Sequence, residues 1–168
     1  MIETSRLRLL PCDLNLWEAV LAGNNVLSQV IGANVPRRWT ENASAFAQFY
    51  QQVKKDPSLE KWGGHLIVYR PDNLLIGSCG YKGQPNEKGE VEIGYEIKAS
   101  HREKGLATET ANALVDYAFT FPEVHLIVAH TLTEENSSTK VLTKVGFKKI
   151  GEVEHAQDGI MWRWELSR

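Results

Sequence analysis

Chemistry is most concentrated in Glu90-Val-Glu-Ile-Gly-Tyr-Glu-Ile-Lys-Ala-Ser-His-Arg-Glu-Lys-Gly-Leu-Ala-Thr-Glu109, a strand that turns tightly into a helix opening near Lys104 and Gly105. Gly105 and Ala107 leave the first helical turn nearly bare of side chains, so a ligand can reach its backbone N–H groups. Those groups have no partner inside the helix and carry the positive end of its dipole, which makes such a start a ready site for pyrophosphate. Arg102 and Lys104 add cationic donors beside it. The loop is neither a Gly-x4-Gly-Lys-Ser/Thr phosphate loop nor a Gly-x-Gly-x-x-Gly dinucleotide loop. An ordinary strand–helix turn with two small residues and surface charges is the alternative. Gly94 argues against it, since a glycine inside a strand often marks a bulge or a close ligand approach.

Other reactive residues frame this turn. Glu90, Glu92 and Glu96 alternate on one strand face, with Val91, Ile93, Tyr95 and Ile97 on the other. His125 and His130 are five apart on one strand, hence on opposite faces, and no metal site is expected from them. His101 reads as an exposed loop histidine, with phosphate binding as its alternative. Cys12 and Cys79 are too few for a disulfide framework and read as small buried hydrophobes in a reducing compartment. Arg37-Arg-Trp39 reads as a solvated pair beside an anchoring tryptophan, and Trp162 and Trp164 as packing residues on one face of the last strand.

The elements that must hold these residues follow from period and punctuation. A short strand over residues 6–10 is halted by Pro11, and Asp13 caps a helix carrying Leu16, Trp17, Val20 and Leu21. Thr40 can cap a second helix with Ala43, Phe46, Phe49, Tyr50 and Val53. Residues 65–69 and 74–81 form two β-branched runs around the turn Arg-Pro-Asp-Asn, and Pro85-Asn-Glu-Lys-Gly89 turns the chain into residues 90–97. Then come a helix over about 104–119, a strand over 126–131, a short helix ending at Gly146, and strands over 147–153 and 161–166. The order β-α-α-β-β-β-α-β-α-β-β predicts an α/β (α+β) fold. Its strand–helix–strand crossover from Glu90 to Thr131 should place one parallel pair inside a mixed twisted sheet of about seven strands, with helices on both faces.

The chain has 168 residues, and nothing in its composition divides it, so one domain over 1–168 is expected. Nineteen Lys+Arg against 21 Asp+Glu leave a net charge of −2, with a pI near 6.2. That balance opposes a nucleic-acid partner, whose footprint is a basic face and a pI above about 9. Apolar runs reach only four residues, against the ~20 of a membrane helix, and the first residues lack the features of a secretion signal. A cytoplasmic protein without membrane contact is expected.

Three segments carry a family resemblance. Arg102-Glu-Lys-Gly-Leu-Ala107 resembles the Arg/Gln-x-x-Gly-x-Gly/Ala loop of the GCN5-related N-acetyltransferases (GNAT). Asn136-Ser-Ser and Val-Leu-Thr-Lys-Val-Gly-Phe147 resemble the family's next helix and strand. Ile2-Glu-Thr-Ser-Arg-Leu-Arg-Leu9 is similar to the opening of its RimJ/RimL-like, ribosomal-protein-type subgroup. An asparagine often lies three places before the helix serine in that subgroup; here the place holds Glu135, with Asn136 displaced by one.

The resemblance implies a sheet splayed at its fourth and fifth strands by a bulge near Gly94, with acetyl-CoA as co-substrate and its pantetheine in the gap. Backbone groups at Ile97 and Lys98 would bind pantetheine, one N–H also facing the thioester oxygen. Arg102, Lys104, Gly105, Leu106, Ala107 and Thr108 would hold pyrophosphate, and Asn136 would complete the cofactor set. Ser138 would protonate the leaving thiolate, with local helix capping as its other role and Thr143 as a weaker substitute. A carboxylate beside the gap could take the amine proton, and of the three Glu92 is preferred; a solvated strand face is the alternative. The implied activity is transfer of a short acyl group, acetyl first, to a primary amine on a protein N-terminus or a small molecule. The reading set against it is a non-catalytic CoA-binding sensor or docking module of the same fold. A homodimer is in keeping with the subgroup.

Overall fold

The computed structural model describes residues 1–168. One eight-stranded sheet runs through the molecule in the order β1-β2-β3-β4-β5-β6-β8-β7. The strands are β1 (Ile2–Glu3), β2 (Leu7–Pro11), β3 (Gly64–Tyr69), β4 (Leu74–Tyr81), β5 (Glu90–Ile97), β6 (Leu126–Thr131), β7 (Lys148–His155) and β8 (Gly159–Ser167). The helices are α1 (Leu14–Ala22), α2 (Asn24–Ile31), α3 (Phe46–Lys55), α4 (Leu106–Ala118) and α5 (Ser137–Val145). None is long and apolar enough to cross a membrane.

Strand alternation distributes the core. Leu66 and Val68 of β3 and Leu75 of β4 face α1–α3, where Trp17, Leu27, Trp39 and Phe46 close one core. Ile67, Ile76, Val91, Ile93 and Ile127 point the other way and pack with Leu106, Ala111, Leu114 and Leu142 of α4 and α5. Helices therefore cover both faces, as the element order predicts. The strand count is one higher because Ile2–Glu3 pairs antiparallel with β2.

Local expectations held or failed for physical reasons. The Asp13 side chain accepts from the Leu16 N–H at 2.8 Å, capping α1. Helix α2 was not anticipated: it opens on Asn-Asn directly after Gly23, and of its apolar residues only Leu27 is buried, Val26 and Val30 being exposed. Thr40 does not cap α3, which starts at Phe46 after a 3-10 turn over Ala43–Ala45. Its hydroxyl instead accepts from the Asn42 N–H and donates to Glu96.

The parallel pair is β5 with β6, and it is short. Glu90, Val91 and Glu92 lie beside Leu126, Ile127 and Val128, and pairing stops there. The other edge of β5 stays paired with β4 through Ile97, without a register shift at Gly94. No bulge forms at Gly94, which corrects that expectation. The strands part because β6 continues straight along β8 to Thr131 while β5 follows β4.

One tie holds the start of α4 to the rest of the sheet. The Glu109 carboxylate accepts from the Thr4 hydroxyl (2.6 Å), the Arg6 N–H (2.9 Å) and Arg6 Nε (2.7 Å). Arg6 Nη1 also donates to the Lys104 carbonyl at 3.0 Å. Partial burial would raise the Glu109 carboxyl, but these donors outweigh it and hold the group below its ordinary value. The unfolded chain therefore binds the proton at a higher pH than the folded one, so the tie's stability is present above the ordinary carboxylate range and lost as pH falls through the depressed value. Glu109→Gln should lower the thermal midpoint most near neutral pH. The gap from wild type should close in acid, as read by thermal unfolding across a pH series.

Candidate active site

The turn before α4 is built for an anion. Glu103 (φ 61°) and Gly105 (φ 78°) are both left-handed, and no side chain caps the helix that starts at Leu106. The backbone N–H groups of residues 103–108 have no acceptor within the protein. Six unpaired donors at the positive end of a 13-residue helix make a concentrated anion site. Ala107 and Thr108 are partly exposed, Leu106 is buried in the core, and Lys104 lies in solvent beside the turn. Arg102 donates through Nε to the Ile97 carbonyl at 2.8 Å, which leaves its terminal nitrogens at the turn, one of them 3.9 Å from Glu41. His101 corrects the expectation of an exposed histidine: it is buried, accepts or donates at 2.8 Å to Ser100 Oγ, and packs edge-on to Tyr69.

Beyond Glu92 the separated strands leave a slot. The Lys82 N–H donates to the Glu92 carbonyl and the Lys98 N–H to the Ile76 carbonyl, so even-numbered residues of β5 spend their backbone on β4. Alternation then turns the N–H and C=O groups of Tyr95 and Ile97 toward the slot, while the Ile93 N–H still serves the last parallel pair with Val128. The backbone of Lys98 is thus spent on Ile76 and His101 and unavailable to a ligand there, which corrects that expectation; the backbone facing the slot beside Ile97 is that of Tyr95.

The helix across the slot frees one hydroxyl. Asn136 Oδ1 accepts from the Thr139 N–H and Thr139 Oγ1 accepts from the Asn136 N–H, a reciprocal cap for α5. Ser138 therefore has no capping duty. It is half-buried and near the Tyr95 hydroxyl, whose pKa burial pushes up to about 12, the Ser138 hydroxyl opposing. Thr143 is committed to the Thr139 carbonyl at 2.8 Å. Tyr95 was read only as an inward strand residue; nothing local in sequence joins it to a serine 43 positions on.

The three glutamates do share the open face, each with different company. Glu96 is clamped by the loop before α3, accepting from Thr40 Oγ1 at 3.0 Å and Asn42 Nδ2 at 2.7 Å. Glu90 accepts from Asn86 Nδ2 and lies 3.7 Å from Arg163. Glu92 stands where the strands part, with Oε2 at 2.8 Å from Lys82 Nζ and 3.1 Å from His130 Nδ1. Burial favours its neutral form, but Lys82 and then His130 outweigh burial and hold the carboxyl below its ordinary value. A cleft of about 250 Å³ opens here between Lys82, Glu90, Glu92, Val128 and Arg163. On the same strand face, a Cβ added at Gly94 would meet only Lys82, at 3.5 Å.

Residues set aside in the sequence lie away from the slot or pack. Trp39 is buried on Phe46 at 5.5 Å, with Arg37 and Arg38 exposed. Trp164 is buried and donates to Thr131 Oγ1, and Trp162 carries Lys149 over its ring. Cys12 and Cys79 are free and buried, and burial raises both thiols far above their ordinary value.

Comparison with known proteins agrees with this geometry. Residues 6–148 match the family model for the acetyltransferase (GNAT) domain. The chain is 29% identical over 149 residues to the N-acetyltransferase YjdG of Bacillus subtilis, covering 88% of this chain and 89% of that one. The ribosomal-protein-S5-alanine acetyltransferase of Vibrio fischeri superposes with a TM-score of 0.70 at 16% identity, covering 98% and 94% of the two chains. The spermidine N-acetyltransferase of Vibrio cholerae, solved with CoA and spermine, gives 0.68 at 20%, covering 98% and 96%. With a helix start of unpaired N–H groups beside a parted strand pair and a family match over most of its length, the chain belongs to the GNAT acetyltransferases and is an acetyl-CoA-dependent N-acetyltransferase.

Proposed function

We propose that the protein, acting as one catalytic unit over residues 1–168, moves an acetyl group from acetyl-CoA to a primary amine by direct attack in a ternary complex. The observation that carries this reading is the parting of β5 from β6 after Glu92, beside six unpaired N–H groups. Pyrophosphate would sit on residues 103–108 between Arg102 and Lys104. Pantetheine would enter the slot as a surrogate strand against Ile97 and Tyr95. A backbone N–H there would face the thioester oxygen, a preorganised donor of a kind worth about 2.7–4 kcal/mol in other enzymes.

The amine would approach from the open face, over Gly94. An α-amine with a pKa of about 7.7–8 sheds its proton near neutral pH more readily than a lysine amine at about 10.4. A protein N-terminus and a small amine both remain within this chemistry. As the nitrogen attacks the thioester carbon it becomes strongly acidic, and Glu92, ionised beside Lys82, takes its proton directly or through water. The C–S bond then breaks. Ser138 gives its proton to the departing sulfur and is reprotonated from solvent once CoA leaves. Asn136 acts by capping α5 and so placing Ser138, rather than by touching the cofactor.

A covalent relay through cysteine is disfavoured. Both thiols are buried with raised pKa values, and neither element bearing them borders the slot.

Gly105→Glu should put a carboxylate against the pyrophosphate and abolish CoA binding by calorimetry. Gly105→Ala carries the same left-handed backbone cost without the charge and should retain most affinity; equal binding by wild type and Gly105→Glu would remove the site. Ser138→Ala should lower kcat by about 10²-fold or more, in the range of general acid catalysis, with a smaller change in acetyl-CoA KM. Glu92→Gln should depress the rate most at low pH, where the amine is hardest to deprotonate. Alanine at both Cys12 and Cys79 should leave turnover largely intact, with intersecting rather than parallel double-reciprocal plots; an acetylated enzyme competent for turnover would overturn direct attack.

A further inference from the structure

We propose that Glu92, His130 and His155 form a site for one divalent transition-metal ion of the zinc type, and that filling it switches acetyl transfer off. The second half rests on the role given to Glu92 above; the first stands on geometry alone. One donor atom from each of the three residues lies within 4.8 Å of the other two. The three come from β5, β6 and the end of β7, so a single ion would bridge the strands that part at the active site.

The donors are poorly satisfied without an ion. Glu92 Oε2, His130 Nδ1 and His155 Nδ1 are all buried and make no hydrogen bond of good geometry; their close neighbours are Lys82 Nζ at 2.8 Å and His130 Nδ1 at 3.1 Å for Glu92, and Asp158 Oδ2 at 3.2 Å for His155. Buried polar atoms of native proteins are overwhelmingly paired, and here Glu92 Oε2 and His130 Nδ1, side by side where the strands part, have only each other and the half-exposed Lys82 ammonium. The imidazole rings stand 5.1 Å apart at 60°, tilted rather than stacked.

Donor chemistry selects the ion. Two imidazoles and one carboxylate suit zinc and its borderline neighbours, whereas magnesium and calcium prefer all-oxygen sets. Zinc–ligand bonds of about 2.0–2.2 Å need donors within about 4 Å, so the set must contract by several tenths of an ångström. The Glu92–His130 edge is already short enough. His155 has a carboxylate at its back, with Asp158 Oδ2 at 3.2 Å from Nδ1, the type of outer partner that fixes a ligating ring. The fourth position would fall to water.

Lys82 is the built-in competitor. Its ammonium occupies the Glu92 oxygen at 2.8 Å, but the side chain is half exposed and free to swing away. A bound dication would take over that oxygen and deny it to the amine proton.

The test is titration of the metal-free full-length protein with Zn2+ by calorimetry and with Co2+ by visible absorption, alongside turnover. One ion per chain is expected, with a four-coordinate Co2+ spectrum. His155→Ala and Asp158→Asn should each weaken Zn2+ roughly tenfold or more. Lys82→Met should tighten it, a change that misfolding cannot mimic. Zn2+ should suppress acetyl transfer by wild type but not by His155→Ala, whose metal-free rate should match wild type. Absence of binding, or equal affinity in wild type, His155→Ala and Lys82→Met, overturns the site. Stoichiometric Zn2+ that leaves turnover unchanged overturns the switch and with it Glu92 as the base. The binding titrations decide the site even for a chain that acetylates no amine offered.

Discussion

Backbone hydrogen bonding within a sheet is the constraint on which this structure turns. A strand that leaves its neighbour strands a row of N–H and C=O groups, and buried groups of that kind must find partners. Here β5 leaves β6 after Glu92 while its other edge stays locked to β4. Tyr95 and Ile97 are left addressing a slot that no protein strand fills. The vacant edge has the hydrogen-bonding character of a strand partner, which an amide-bearing pantetheine arm can supply. Chemistry is thereby placed at a defect in the sheet, between two halves that each have their own helical cover and core.

The defect is tolerable because other contacts hold its rims. Val91 and Ile127 remain packed under α4 where the strands still pair, and the β5–α4–β6 crossover closes the two halves from behind. The Arg6–Glu109 tie then fixes the entrance. Arg6 reaches from the start of β2 to the first turn of α4 and to the Lys104 carbonyl, so the chain's opening segment positions a phosphate turn about a hundred residues away. Glu109 is well placed for a second reason: an acidic side chain in a first helical turn complements the dipole. The same positive end is shared between an internal carboxylate and the anion outside.

Periodicity and punctuation made much of this legible before any coordinates. Glu90–Ile97 and Leu126–Thr131 are bounded by turn residues, and their alternation is a local property that survives folding. Gly146 ends α5 with φ 112°, a backbone state glycine enters at little cost, so that boundary was also local. Relations between distant segments were not legible. That Asn136 caps α5 and so releases Ser138 needs the side-chain geometry of one turn. That Tyr95 meets Ser138, or that His155 meets His130, needs the sheet order β6-β8-β7, in which a hairpin brings late residues beside early ones. Gly94 misled for an instructive reason. A glycine in a strand signals close approach of something, and the bulge was only one candidate; the residue instead keeps the open face clear between Glu92 and Glu96.

The spacing of the three glutamates looks redundant in sequence and becomes divided labour in space. Glu96 is consumed by Thr40, Asn42 and the Glu41 N–H, which fastens the loop before α3 to the sheet and walls the cleft. Glu90 sits where β5 and β6 are still paired and answers to Asn86 and Arg163. Only Glu92 stands at the point of separation, and its companions are of a different kind. Lys82 is a half-exposed ammonium on a flexible stem and His130 a neighbouring imidazole, so the company of this carboxylate can be rearranged without moving the backbone. A base with fixed partners would be held ionised and inert. In the proposed mechanism, one with a displaceable cation could hold the substrate ammonium in place of Lys82; once that ammonium has lost one proton to solvent and attacked, the carboxylate would take the second as the amide forms and pass it to water when the lysine returns. The residue that ends the parallel pairing is thus the one whose electrostatic partner an incoming amine can replace.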